Sequence, residues 1–94
     1  MAEEQHRIHL TLSGRVQGVG FRYYTYDEAT RIGVTGFVRN LRSGDVEVVA
    51  EGTRAQLSEL IDKVKSGPSF ARVTSFQEDW GPAKGEFREF RITH

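Results

Sequence analysis

No cysteine occurs among the 94 residues, which excludes a disulfide framework, a thiolate nucleophile and any metal site built on thiolates. Net charge is also missing: thirteen basic residues balance thirteen acidic ones. A general nucleic-acid binder would carry a positive excess. No apolar run approaches the roughly 18 residues that a membrane helix needs. The N-terminus, Met1-Ala2-Glu3-Glu4-Gln5, is polar and acidic, unlike a secretory leader. A cytoplasmic protein with no membrane and no nucleic-acid partner is therefore expected. The three histidines, His6, His9 and His94, show no metal-ligand spacing and no paired carboxylates, so no metal and no cofactor are expected. Repeats, low-complexity tracts and linkers are absent as well. One domain over residues 1–94 follows, with residues 1–6 a flexible N-terminus and a monomer as the default.

What is present alternates between strand and helix patterns. Ile8, Leu10 and Leu12 interleave with His9, Thr11 and Ser13, the period of a half-buried strand. A helix is expected from Arg22 to Ile32, with Phe21, Thr25, Ala29 and Ile32 inward and Gly33 at its end. Strands at Phe37–Leu41 and Val46–Glu51 flank a turn at Arg42-Ser43-Gly44-Asp45 and make a hairpin. Thr53 followed by Gln56 signals a capping box, and Leu57, Leu60, Ile61 and Val64 recur at helical spacing until Ser66-Gly67-Pro68. A fourth strand lies within Ala71–Glu78, where the odd spacing of Val73 and Phe76 implies a bulge or an edge. Trp80 to Gly85 is expected as a loop, and Phe87–Ile92 as the last strand. The order β-α-β-β-α-β is that of an α+β, ferredoxin-like split βαβ sandwich. Two helices would cover one face of a mainly antiparallel sheet of four to five strands, with the first strand central.

The chemistry-bearing stretch is Gly14-Arg15-Val16-Gln17-Gly18-Val19-Gly20-Phe21-Arg22. Three glycines in seven residues turn the chain tightly and leave backbone N–H groups uncovered. Successive free N–H groups ahead of a helix N-terminus form an anion-binding concavity. Arg22, at the positive end of that helix, is mildly unfavourable on dipole grounds unless a dianion reverses the sign. The segment reads as a phosphate cradle with an arginine clamp. It resembles the first acylphosphatase motif, and Gly36-Phe37-Val38-Arg39-Asn40 with Gly44, Val46 and Gly52 resembles the second. The resemblance implies a small ferredoxin-like hydrolase of carboxyl-phosphate anhydrides, with inorganic phosphate as product and competitive inhibitor. Carried onto this chain, it makes Arg22 the phosphate-binding residue and Asn40 the residue that orients water. Val16, Gln17, Gly18, Val19 and Gly20 become the backbone phosphate loop.

Plainer readings stand beside these. Arg22 alone would serve as a surface ion-pair residue, and Asn40 as a turn-entry residue bonding its own backbone. Gln17 and Arg15 are expected only to shape the loop or pair with carboxylates, and Phe21 to join the core. Tyr23, Tyr24 and Tyr26 either line an entrance for the acyl group or simply populate an exposed helix. Trp80 reads as a rim-packing residue. His9, Glu47, Glu51, Asp62, Glu78 and Asp79 read as solvated faces. Gly20 and Leu41 depart from residues found in parts of the family, adding mobility and removing a hydroxyl. Two other functions share the fold. An RNA-recognition module would need aromatics facing outward on its third strand, and Val46 to Glu51 has none. A domain like the acylphosphatase-like region of hydrogenase-maturation carbamoyltransferases would sit in a longer chain with zinc-finger cysteines. The acyl group itself is not readable from these residues.

Overall fold

Strand alternation and helix caps both appear where the chain's chemistry asks for them. The computed structural model describes residues 4–94, and Met1, Ala2 and Glu3 lie outside the described residues. The order is β1 (Gln5–Arg15), α1 (Phe21–Ile32), β2 (Thr35–Asn40), β3 (Val46–Thr53), α2 (Arg54–Ser66), β4 (Arg72–Pro82) and β5 (Phe90–Ile92). Gln5 and His6, expected in a flexible N-terminus, belong to β1 and pair with Thr53 and Gly52.

The sheet runs β4-β1-β3-β2-β5, antiparallel except for the β2–β5 pair. This is the ferredoxin-like α+β fold. β1 is internal, flanked by β3 and β4, and β3 takes the middle position. Ile8, Leu10 and Leu12 of β1, Val46, Val48 and Ala50 of β3 and Val38 of β2 face the helices and are fully buried. α1 adds Phe21 and Ala29, and α2 adds Leu57, Leu60, Ile61 and Val64. Each of the fully buried leucines contributes roughly 2 kcal/mol by leaving water.

α2 starts with a complete capping box: Gln56 N donates to Thr53 Oγ1 at 3.2 Å, and Thr53 N donates to Gln56 Oε1 at 2.9 Å. Gln56 Nε2 also donates to the Ile32 carbonyl, tying the end of α1 to the start of α2.

β4 is an edge strand with a bulge. Its register against β1 slips between the pairs Ser13–Ser75 and Gly14–Val73, so Val73 and Phe76 both pack on the core despite their spacing of three. β4 also runs further than expected, through Trp80 and Gly81 to Pro82. An edge strand needs no second partner, so a proline that lacks the N–H is tolerated there. The last strand is shorter than expected. Phe87 leaves the ladder to pack edge-to-face on Phe37, with ring centroids 6.0 Å apart, and only residues 90–92 pair with β2.

Candidate active site

The cradle is held by side chains pointing in and backbone facing out. Val16 and Phe21 are buried and Val19 packs against the core, while Gly18 and Gly20 are exposed between them. Gly18 and Gly20 have φ of 73° and 80°, a region L side chains avoid, and nothing lies within 4 Å of where their Cβ atoms would be. Backbone conformation alone, not space, therefore calls for glycine at both. Gly20 caps α1 without any side-chain hydrogen bond, and the first turn holds no acidic residue. The helix thus presents uncapped N–H groups and an unneutralised dipole.

Arg22 stands in that first turn, half-buried, and forms none of the ion pairs found among the described residues. The bland reading of Arg22 as a salt-bridge residue has no support in this arrangement.

Asn40 reaches the cradle by a route the sequence does not spell out. β1 and β2 are not neighbours, because β3 lies between them. Both are antiparallel to β3, so both end at the same side of the sheet. Leu12, Val46 and Asn40 form one row across the three strands. Asn40 is therefore two strand spacings from β1, about 10 Å, on the face covered by the helices. Gln17 closes that gap: its Nε2 donates to the carbonyls of Leu41 and Asp45, both at 2.8 Å. The same turn is pinned by Leu41 N on Asp45 O and by Gly44 N on Leu41 O. The loop-shaping role expected of Gln17 is realised by its side-chain amide. Asn40 Oδ1 is buried and accepts no hydrogen bond from the protein. Such an atom costs about 1–3 kcal/mol unless a ligand or water meets it.

A hollow of about 410 Å³ lies elsewhere, at the β2–β5 edge beside Phe37 and Phe87, and includes neither Arg22 nor Asn40. Tyr23 and Tyr26 flank another of about 350 Å³ with Phe90 and Ile92, whereas the Tyr24 hydroxyl donates to the Lys63 carbonyl and joins the helices. Among the described residues no group of three His, Cys, Asp or Glu is arranged to hold a metal ion. β3 carries no aromatic side chain, so it offers no platform of the RNA-recognition kind.

A family model for acylphosphatase matches residues 8–92. The chain belongs to the acylphosphatase family. Over 85 residues it is 48% identical to an acylphosphatase of Caldanaerobacter subterraneus subsp. tengcongensis, covering 90% of this chain and 94% of that one. Its fold matches the crystal structure of the acylphosphatase from Bacillus subtilis with a TM-score of 0.91 at 34% identity, covering 95% of this chain and 99% of that one. Full-length HypF, in its phosphate- and nucleotide-bound form, matches all of this chain with a TM-score of 0.91 at 26% identity, but over only 12% of its own length. As an acylphosphatase family member, this chain is an enzyme that hydrolyses acyl phosphates.

Two acidic residues expected on solvated faces are not solvated. Glu51 is 5% exposed. It accepts from Arg7 Nη1 at 2.9 Å and from the N–H groups of Lys84 and Gly85 at 2.9 and 3.0 Å. Burial pushes its carboxyl pKa up, but those three donors outweigh burial and hold it below its ordinary value. Glu47 is similar: burial raises its pKa, and contacts with His9 at 2.7 Å and Arg39 at 2.6 Å lower it further than burial raises it. His9 is half-exposed and owes its position to that pair. The sequence signal for Glu51 was hidden because the segment after β4 folds back over it.

Proposed function

We propose that the enzyme cleaves the carboxyl-phosphate bond without a metal, with Arg22 and the N–H groups of residues 16–20 holding the phosphoryl group and Asn40 orienting the attacking water. Arg22 offers a planar fork that two phosphoryl oxygens can engage at once. The free N–H groups and the dipole of α1 meet the charge carried by those oxygens in the transition state. Asn40 Oδ1 accepts a hydrogen bond from the water and aims its lone pair at phosphorus. The water oxygen bonds to phosphorus as the bond to the acyl oxygen breaks, and that electron pair leaves as a carboxylate. A carboxylate needs no proton to depart, so no general acid is required. An amide is no base, and the proton of the water passes to a phosphoryl oxygen of the substrate. Positioning and charge stabilisation are then the whole of the catalysis. The same reading has the enzyme acting as a monomer in the cytoplasm, with inorganic phosphate as product and competitor.

The observation that carries this reading is the uncapped, acid-free N-terminus of α1 following two glycines of positive φ. Benzoyl phosphate hydrolysis by the wild type and by Asn40→Ala, with inorganic phosphate as competing ligand and with EDTA present, tests it. The wild type should turn over, resist EDTA and be inhibited by phosphate. Asn40→Ala should bind phosphate as before and lose about a hundredfold or more in kcat. Absence of wild-type turnover, or equal loss of binding and turnover in the variant, would overturn it.

A further inference from the structure

The flank of the cradle opposite Asn40 carries features that the hydrolysis of a minimal acyl phosphate does not use. Arg15, the last residue of β1, stands directly across from Arg72, the first residue of β4. Like charges facing each other across strands destabilise a sheet. Both arginines are exposed, and neither joins any ion pair found among the described residues.

The backbone holds the two together. Gly14 has a φ of 121°, and a Cβ built there would lie 2.2 Å from the Arg72 carbonyl oxygen. Only glycine lets β4 come that close to the root of the cradle. Arg15 is one residue from Val16, so one of the two guanidinium groups is rooted about 3.8 Å, a single Cα step, from the phosphate loop.

Two residues before Arg72 is Phe70. At 78% exposure it is the most exposed large hydrophobic side chain described. It occupies a corner of the turn closed by Ala71 N on the Pro68 carbonyl at 3.0 Å. That turn leans on the cradle, since a Cβ at Gly67 would sit 3.1 Å from the ring of Phe21, the first residue of α1. The phenyl group is thus presented beside the site on a fixed turn, with no core of its own to fill.

Direction links these features to the reaction. An in-line displacement puts the attacking water and the leaving group on opposite sides of phosphorus. Asn40 lies on the β2 side of β1, and Arg15, Arg72 and Phe70 lie on its β4 side, so a water held by Asn40 would turn the acyl group toward β4. We propose that these three residues form an acyl subsite selecting acyl phosphates whose acyl part carries a second anionic group. The two guanidinium groups pair with that anion and Phe70 packs on the body of the acyl group. The arrangement also explains why two arginines are kept in register, because a bound anion turns their repulsion into shared attraction. This inference rests on the assignment of Asn40 to the water.

The test is the ratio of kcat/KM for 4-carboxybenzoyl phosphate over benzoyl phosphate, measured at low ionic strength. The wild type should favour the carboxylated substrate about fivefold, the size expected of two exposed ion pairs. Arg72→Gln and Arg15→Gln should each lower that ratio, and the double variant should bring it to about one. The wild-type ratio should also shrink in about 1 M salt, where the screening length is about 3 Å. Phe70→Ala should lower kcat/KM for both aromatic substrates relative to acetyl phosphate. Arg72→Gln should keep or raise the thermal midpoint, because it relieves the facing charges. A wild-type ratio of one or less, or an equal fall for both substrates in Arg72→Gln, overturns the subsite while leaving the hydrolase intact. Failure of the wild type to hydrolyse either substrate overturns the hydrolytic reading itself.

Discussion

α2 begins at Thr53 with both halves of a reciprocal cap in place, whereas α1 begins at Gly20 with no side-chain cap, and neither helix has an acid in its first turn. The two helices run in opposite directions over the sheet, so their N-termini lie at opposite ends of it. The difference extends to everything nearby. Around the start of α2, Glu51 is buried with three donors on its carboxylate, and Arg7 bridges it to Glu86. Around the start of α1, Arg22, Arg15 and Arg72 join none of the ion pairs described, and Asn40 Oδ1 is buried without a partner. One end of the molecule has its polar groups satisfied by the chain and serves to hold shape. At the other, polar groups stay unpaired among the described residues, as the proposed binding of substrate there requires. Balanced net charge conceals this, because overall charge says nothing about where the paired and unpaired groups sit.

Substitutions should separate the two ends by what they damage. The largest effect is expected at Arg22: Arg22→Ala should lower kcat/KM about a thousandfold and Arg22→Lys about a hundredfold, since lysine keeps charge but loses the fork. Steady-state kinetics on benzoyl phosphate checks this, and thermal unfolding should show both variants as stable as the wild type.

At the opposite end the effect should be on stability. Glu51→Gln leaves Arg7 with a weaker partner and should cost about 2–3 kcal/mol in denaturant unfolding, with kcat retained. The sign of the pH dependence follows from the same carboxylate. Its folded pKa is lowered from 4.5, so its stabilisation is complete above that value and is lost as pH falls through the folded pKa. Unfolding free energy should hold level from neutral pH down to about 5 and then drop. Glu51→Gln should flatten the part of the drop due to this carboxylate.

A smaller effect that touches both readouts is expected at Gln17. Gln17→Ala removes two hydrogen bonds to the β2–β3 turn and should cost about 1–2 kcal/mol of stability. It also frees the cradle to drift from Asn40, so kcat should fall about tenfold.

The local elements were legible in the sequence because their signals are local. Thr53 and Gln56 announce a cap, Gly33 ends a helix, and the alternation from Ile8 to Leu12 gives strand and face together. The glycine loop that leads into α1 was legible for the same reason. The adjacency that builds the site was not. Period-two alternation says which face a residue takes but not which strand lies beside it, so the insertion of β3 between β1 and β2 appears only in the fold. Gln17 looked like one more loop residue because its role depends on carbonyls 24 and 28 positions away. Glu51 looked solvated because the segment that covers it, around Lys84 and Gly85, has no apolar pattern to mark it as packing on a sheet. Trp80-Gly81-Pro82 carried turn residues yet extends an edge strand, where the usual penalty for proline does not apply.

The most direct test of the contrast is to measure unfolding free energy and kcat together for Asn40→Ala. If Asn40 Oδ1 is unpartnered because it serves the attacking water, the variant loses a buried unsatisfied group. Stability should then stay level or rise by up to about 1 kcal/mol while kcat falls about a hundredfold or more. A variant that loses more than about 1 kcal/mol of stability, the size of one ordinary hydrogen bond, and keeps its turnover would contradict the account. Asn40 would then belong with Thr53 and Glu51 among the residues that hold the fold.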